Sequence, residues 1–189
     1  SFAQTGKDGA KIVSVPGLVE WQFTGTNNGW TLANNLTGVT NPSTYDLTIT
    51  GADPYMFSPA ALAINAANLK YVTIRMQNSV IDNEGQLMWA TVADPAMGTN
   101  GKSINFSLFL THIGYNEYVI DLSAVAAWAG TITQLRLDPA NNAAAGTTSI
   151  DYIRVTNQVI VNEYTYLTAN AAAGTNTLTV ANSGLNAHG

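Results

Sequence analysis

The segment YVTIRMQ, residues 71–77, alternates apolar and polar side chains with a period of two. In an extended strand this places the apolar set on one face and the polar set on the other: Val72, Ile74 and Met76 against Tyr71, Thr73, Arg75 and Gln77. The segment 134–138 repeats the pattern, with Leu135 and Leu137 opposite Gln134, Arg136 and Asp138. Alternation of this kind is typical of β-strands that bury one face and expose the other.

Short runs of β-forming residues recur along the chain and are separated by Gly, Asn, Asp and Pro. They are 19–23, 45–49, 71–77, 86–92, 103–110, 116–121, 131–138 and 149–155. Many short strands with turn residues between them predict one all-β domain from about residue 18 to 156, an antiparallel sandwich or barrel. Two alanine-rich segments, 59–69 and 122–128, are each predicted to form a helical turn or two.

The two ends of the chain differ from this pattern. Residues 1–17 lack a period and end at Pro16-Gly17, which predicts an N-terminal extension. Residues 157–189 are rich in Ala, Thr and Asn, with β-like pieces at 158–167 and 175–181. This C-terminal part can be a hairpin, a linker or the start of a further module, and the last two are favoured.

The composition excludes several classes of protein. Seven basic and twelve acidic residues give a net charge of -5 without any Lys/Arg block, so nucleic acid is not an expected partner. The absence of cysteine excludes disulfides and thiolate sites. No apolar run approaches the roughly 18 residues of a membrane helix, so no membrane insertion is expected. The low charged fraction of 10% predicts a secreted or cell-surface protein.

No catalytic residues are predicted. The chain lacks the nucleophile-elbow, zinc-protease and phosphate-loop motifs, and it has only two histidines, His112 and His188. A glycosidase needs two carboxylates about 5–10 Å apart in a cleft. Sequence shows no such pair, and an enzyme would require the fold to bring together residues such as Glu84, Glu117, Asp94 and Asp138.

Planar polar and aromatic groups remain as candidates for ligand binding. They lie opposite the aliphatic residues of three runs: Arg75 and Gln77, then Gln86 and Met88, then Gln134, Arg136 and Asp138. If the three strands are neighbours, these side chains form one polar sheet face with arginine at its centre. The alternative is an ordinary solvated face, because antiparallel sheets commonly expose one side.

The order of motifs resembles a known family. EWQFTGTNNGW (20–30), ADPYMFSP (52–59), YVTIRMQN (71–78), GQLMWAT (85–91), NEYVIDLS (116–123), WAGTITQLRLDP (128–139) and SIDYIRV (149–155) follow each other as in galactose-binding-like jelly-roll carbohydrate-binding modules of bacterial, secreted polysaccharide-degrading proteins. The resemblance covers about residues 19–156. It implies an antiparallel jelly-roll β-sandwich and a non-catalytic module that binds a polysaccharide or cell-surface glycan. A structural or adhesive domain of the same fold is the alternative.

The resemblance also implies site residues. Such modules often hold a structural calcium where the first strand meets the last, and the matching positions are Glu20 and Asp151; Asp151 can instead bond loop amides. Their ligands bind the concave sheet or the loops at one end. The first option recruits Arg75, Gln86, Met88 or Trp89, and Arg136, whereas the second recruits Trp30, Tyr55 and Asp53.

Two tryptophans in these sets have uncertain positions. Alternation places Trp89 in the core, and a slipped register would expose it. The same alternation in 19–23 predicts that Trp21 also lies in the core. Trp30 follows an Asn-Asn-Gly turn, where it either closes the sandwich edge or borders a loop site. Separately, residues 160–189 resemble module junctions of exported surface proteins from Bacteroidetes-like bacteria, which implies other modules of the same chain as partners.

Overall fold

The computed structural model describes residues 18–109 and 114–159, together with the backbone of four short terminal strands. In this part of the chain there are sixteen strands and no helix. In chain order they are β1 (Gln4–Thr5), β2 (Lys11–Ile12), β3 (Val19–Gln22), β4 (Thr31–Asn34), β5 (Leu36–Asn41), β6 (Thr44–Ile49), β7 (Tyr55–Phe57), β8 (Ile64–Asn65), β9 (Tyr71–Asn78), β10 (Glu84–Thr91), β11 (Ser103–Ser107), β12 (Asn116–Asp121), β13 (Thr131–Asp138), β14 (Gly146–Thr156), β15 (Tyr166–Leu167) and β16 (Val180–Ala181).

The backbone divides into two compact units, Val15–Val159 and the combination of Ser1–Ser14 with Ile160–Gly189. The second unit contains two antiparallel pairs, β1 with β2 and β15 with β16. The pieces predicted at 158–167 and 175–181 lie largely outside the described residues. The predicted extension (1–17) and linker (157–189) stay predictions.

The larger unit consists of two six-stranded antiparallel sheets. The first sheet has the order β11-β10-β13-β7-β4, with β8 also paired to β13. The second has the order β12-β9-β14-β6-β5, with β3 also paired to β14. This confirms the predicted all-β antiparallel sandwich. The strand order separates β9 from β10 and β13, which places them on opposite sides of the core.

The core lies between the sheets and is built by the predicted alternation. Leu87 of β10 and Leu135 and Leu137 of β13 face inward from the first sheet, and Val72 and Ile74 from the second. Each of these side chains is at most 1% exposed. The apolar face quoted at the start of the sequence analysis is therefore buried, whereas the polar set is half-buried at Tyr71, Arg75 and Gln77 and buried at Thr73.

All four tryptophans are buried in this core, in two edge-to-face pairs. The ring centroids of Trp21 and Trp30 are 5.4 Å apart, and those of Trp89 and Trp128 are 5.2 Å apart. Trp89 donates from Nε1 to the carbonyl oxygen of Ala127 at 3.0 Å. The alternation that assigned Trp21 and Trp89 to the core is confirmed, and Trp30 is buried against Trp21 in the same core.

The two segments predicted to form a helical turn or two form isolated turns and no helix. Residues 59–69 contain β8 and a single turn, in which Leu69 N donates to Asn65 O at 3.0 Å. Residues 122–128 form two successive turns, from Val125 N to Leu122 O and from Trp128 N to Val125 O. Both segments are too short for a stable helix, so tertiary packing outweighs alanine propensity. None of the described residues forms a helix long and apolar enough to cross a membrane.

Candidate functional site

The outward side of the first sheet carries a mixed aromatic and polar surface, which we call the Arg136 face. Register places its members in two rows across neighbouring strands. One row is Thr31, Phe57, Arg136, Met88 and Ser103, and the other contains Asp138, Gln86 and Asn105. The structure thus brings together Gln86, Met88, Arg136 and Asp138, as predicted for two of the three strands.

Arg136 is held in one position at the centre of this face. Its Nε and Nη2 atoms donate to the two carboxylate oxygens of Asp138 at 2.7 and 2.6 Å. Nη2 also donates to Asp53 Oδ1 at 2.6 Å, and Cζ lies 3.6 Å from the ring centroid of Tyr55. A guanidinium has five N–H donors. The two on Nη1 have no partner among the described residues.

Asp138 lies beneath Arg136 and its side chain has 0% exposure. Burial raises the pKa of its carboxyl, and the bonds from Arg136 oppose that shift. Desolvation lowers the pKa of Arg136, but the two carboxylates raise it on balance. Asp138 cannot touch a ligand, which corrects its predicted role as a contact: it positions the guanidinium.

Aromatic rings flank the arginine. Tyr55 and Phe57 project outward from β7 on either side of the buried Met56, and both rings are half-buried. Their centroids are 5.4 Å apart at an interplanar angle of 69°. Tyr55 was expected in a loop site, whereas Phe57 was not predicted. The alternation around Met56 could have found it, but a three-residue strand is too short to stand out.

Amides occupy the other side of the face. Gln86 Nε2 donates to Asn105 Oδ1 at 2.6 Å. Gln134 lies toward the rings instead, because its Nε2 donates to the carbonyl oxygen of Ser58, the residue after Phe57, at 3.1 Å. The carbonyl oxygen of the Gln86 side chain and the amide nitrogen of Asn105 keep no partner among the described residues. The site therefore has donors and acceptors on one side and rings on the other.

A hairpin loop, residues 92–102, borders the face at Met88. Gly98 has φ of 70°, and a Cβ there would lie 2.7 Å from Met88 Sδ. The loop is fixed by Asp94, which accepts hydrogen bonds from Asn100 and Lys102 at 2.9 Å. These bonds lower the pKa of Asp94 to about 2, and the hydrogen bond from Asn100 has the largest effect.

Arg75 and Gln77 are not part of this face. They lie on β9 in the second sheet, so the condition under which the three strands would form one polar face is not met. Arg75 forms an ion pair with Asp151, and its Cζ lies 4.9 Å from the ring centroid of Tyr115.

Trp30 and Trp89 are also excluded as ligand contacts. Both side chains have 0% exposure. The slipped register that would have exposed Trp89 does not occur, because Trp89 pairs with Leu135 inside the first sheet.

The residues expected to bind calcium do not fit a shared cation. Glu20 forms an ion pair with Arg154, and Asp151 forms one with Arg75. Glu20 pairs in register with Arg154, three residues beyond Asp151, or about 10 Å along the strand. The described residues contain no group of three or more His, Cys, Asp or Glu that could hold a metal ion. A calcium site between Glu20 and Asp151 was the expectation, and the pairing of both carboxylates with arginines does not favour it.

Three of the four carboxylates considered for a catalytic pair, Asp138, Glu117 and Asp94, are engaged with other groups of the described residues. Asp53 and Asp138 meet at Arg136, but Asp138 is inaccessible. Glu117 lies on the second sheet and accepts a hydrogen bond from Tyr152 Oη. Asp94 forms its hydrogen bonds within its own loop, with Thr91 and Asn100.

The two packed antiparallel sheets define a jelly-roll β-sandwich, a fold that this chain shares with carbohydrate-binding modules. One similar structure is a variant of a family 29 carbohydrate binding module, with a TM-score of 0.51 and 8% identity over 78% of this chain and 99% of that one. A low affinity xylan binding module, CBM86, from Roseburia intestinalis has a TM-score of 0.49 and 13% identity, over 73% of this chain and 93% of that one. A non-crystalline cellulose specific module, CBM28, has a TM-score of 0.48 and 14% identity, over 70% of this chain and 89% of that one.

No protein-family model and no curated protein matches the sequence. The structural similarity, at these identities, establishes the fold. The resemblance to jelly-roll carbohydrate-binding modules is confirmed at this level.

Proposed function

We propose that the protein binds a neutral polysaccharide through the Arg136 face, without catalysing a reaction on it. The observation that carries the proposal is the guanidinium of Arg136, fixed by a buried carboxylate and lying 3.6 Å from the ring centroid of Tyr55 on an open sheet face. The fold supports the proposal because structures that share it are carbohydrate-binding modules.

The chemistry of the face suits a sugar chain. The rings of Tyr55 and Phe57 offer apolar surface to the C–H faces of pyranose rings. The two Nη1 donors of Arg136, the Gln86 side-chain oxygen and the Asn105 amide can bond to hydroxyl groups. A row of such groups across several strands accommodates an extended chain rather than only its end.

The charges favour a neutral ligand over an acidic one. Arg136 is bonded to two carboxylates, so the three charged groups of the face sum to about minus one. The other arginines in the described residues, Arg75 and Arg154, are also paired with carboxylates. A polyuronate would find no uncommitted guanidinium on this face.

The proposed setting is a larger exported bacterial protein, secreted or at the cell surface. Individual contacts to sugar hydroxyls are weak, and tethering to other modules raises the effective concentration of the site. The low charge of the chain supports this setting.

A structural or adhesive domain of the same fold is the second candidate. It is favoured by the burial of all four tryptophans, which leaves no exposed indole for stacking. The exposed parts of Tyr55 and Phe57 favour the binding module, since an aromatic group beside the polar face is what distinguishes the two.

Affinity gel electrophoresis with xylan, hydroxyethylcellulose, glucomannan and polygalacturonate tests the proposal. We expect retardation by at least one neutral polymer and none by polygalacturonate. Tyr55→Ala should weaken binding about tenfold, which corresponds to roughly 1.4 kcal/mol. The matched control is Tyr71→Ala, a half-buried tyrosine on the second sheet. Equal losses in both variants, or no retardation by any polymer, would refute the proposal.

A further inference from the structure

The second sheet has an outward depression of about 370 Å³, which we call the Asp46 pocket. Its polar lining comes from three neighbouring strands and the loop after β9: Asp46, Thr48, Gln77, Ser79, Thr147 and Ser149. Ser149 pairs in register with Asp46 on one side and Gln77 on the other. The three side chains therefore form one row across the sheet.

The pocket carries a carboxylate that has no cationic partner. Asp46 accepts hydrogen bonds from Ser149 Oγ and Asn41 Nδ2, both neutral donors. A carboxylate has about four lone-pair positions, so it keeps acceptor capacity for further hydroxyl donors. This arrangement differs from the arginine-paired carboxylates elsewhere on the same sheet.

Two further polar groups of the pocket are uncommitted. The Thr48 hydroxyl and the Gln77 amide have no hydrogen-bond partner among the described residues, whereas Ser79 Oγ and Thr147 Oγ1 bond each other at 2.6 Å. Together with Asp46 they offer an acceptor, an amide donor and a hydroxyl in one small depression. A solvated face with no ligand would not need this convergence around a concave surface.

An aromatic ring borders the pocket. Tyr115 Oη lies 2.8 Å from Ser149 Oγ, so its side chain reaches across β9 toward β14. Its half-buried ring is held from the other side by Arg75, whose Cζ lies 4.9 Å from the centroid. A fixed ring beside short hydroxyl and carboxylate groups can recognise a sugar unit.

We propose that the Asp46 pocket is a second glycan-binding site that takes a neutral sugar unit of a polysaccharide. It rests on the proposed function of the Arg136 face for the class of ligand, but it uses a different sheet. Because the two sheets turn their outer faces in opposite directions, one molecule with both sites would bridge two polysaccharide chains.

The experiment measures binding of xylohexaose and cellohexaose to the full chain by isothermal titration calorimetry. The pocket variant is Thr48→Val with Gln77→Leu, which removes only groups that have no hydrogen-bond partner among the described residues. The face variant is Tyr55→Ala with Phe57→Ala. Tyr71→Ala, outside both sites, is the control. We expect two binding sites per molecule in the wild type and in the control. In each of the two variants, the affinity of one site should fall at least tenfold while the other site is unchanged.

The outcomes separate the two proposals. A single site that the pocket variant leaves unchanged and the face variant abolishes overturns the second site and leaves the proposed function intact. A single site that only the pocket variant abolishes supports the Asp46 pocket and overturns the Arg136 face. If neither hexasaccharide nor the polymers bind, both proposals fall. Turbidity of a xylan solution should rise with wild-type protein and with neither variant.

Discussion

Replacing Arg136 by methionine should destabilise the protein by leaving the buried Asp138 carboxylate without a partner. Removing one member of a buried ion pair costs about 3–5 kcal/mol, and the lower end applies because the Arg136 side chain is 15% exposed. A domain of this size loses roughly 2–4 °C in thermal midpoint per kcal/mol. About 3 kcal/mol therefore lowers the midpoint by about 6–12 °C.

The same variant should show a pH dependence of defined sign. Burial raises the pKa of Asp138, and loss of Arg136 removes the bonds that oppose the shift. A carboxyl whose pKa is higher in the folded state stabilises that state as the pH falls, because the folded protein then binds the proton more tightly. The gap in midpoint between wild type and Arg136→Met should narrow between about pH 7 and about pH 4.

Thermal unfolding followed by circular dichroism measures both effects. Asp53→Ala is the matched control, since Asp53 is 58% exposed and its ion pair is worth at most about 1 kcal/mol. The double variant Arg136→Met with Asp138→Leu should recover stability without recovering polysaccharide binding. A gap that is below about 2 °C, or that does not change with pH, would refute the reasoning.

Three further predictions concern the hairpin loop and the metal. Asn100 and Lys102 lower the pKa of Asp94 to about 2, so the contribution of the ionised Asp94 side chain to stability is present above pH 3.8 and is lost as the pH falls through about 2. The melting midpoints of the wild type and Asp94→Asn should therefore converge at that low pH, and a difference that stays constant with pH would contradict this. Gly98→Ala should lower the midpoint more than Gly25→Ala, where φ is also positive but no atom lies within 4 Å; equal losses would contradict contact with Met88. Chelation should leave the midpoint of thermal unfolding unchanged, because the carboxylates expected to bind calcium pair with arginines. A lower midpoint in EDTA would show that a bound metal ion stabilises the protein.

The sequence is sufficient to predict local features of the fold, because alternation is a local property. It places Trp21 in the core and Arg136 on an outward face, and both positions are confirmed. It does not determine which strands become neighbours, since strand order depends on contacts between distant segments. Arg75 and Arg136 belong to equally regular strands, yet they lie on opposite sheets.

The candidate site was only partly predictable for related reasons. Phe57 lies on a strand of three residues, which gives too few positions for alternation to be recognised. The Asp138 side chain faces outward, as its pattern predicts, but the guanidinium above it removes it from solvent. Period-two reasoning identifies the face of a side chain and gives no information on what covers it.

The pair of Arg136 and Asp138 bears on the choice between a binding module and a structural domain. Apolar residues of similar volume often replace a buried ion pair without loss of stability, so stability alone does not explain a carboxylate with 0% exposure whose pKa is raised by burial. What the carboxylate does achieve is a fixed guanidinium, which has one face against Tyr55 and two donors without a partner among the described residues. A fixed donor loses less conformational entropy when a ligand binds, which matters most for ligands whose individual contacts are weak. A domain that only spaces other modules gains nothing from this arrangement, whereas a site for sugar hydroxyls does.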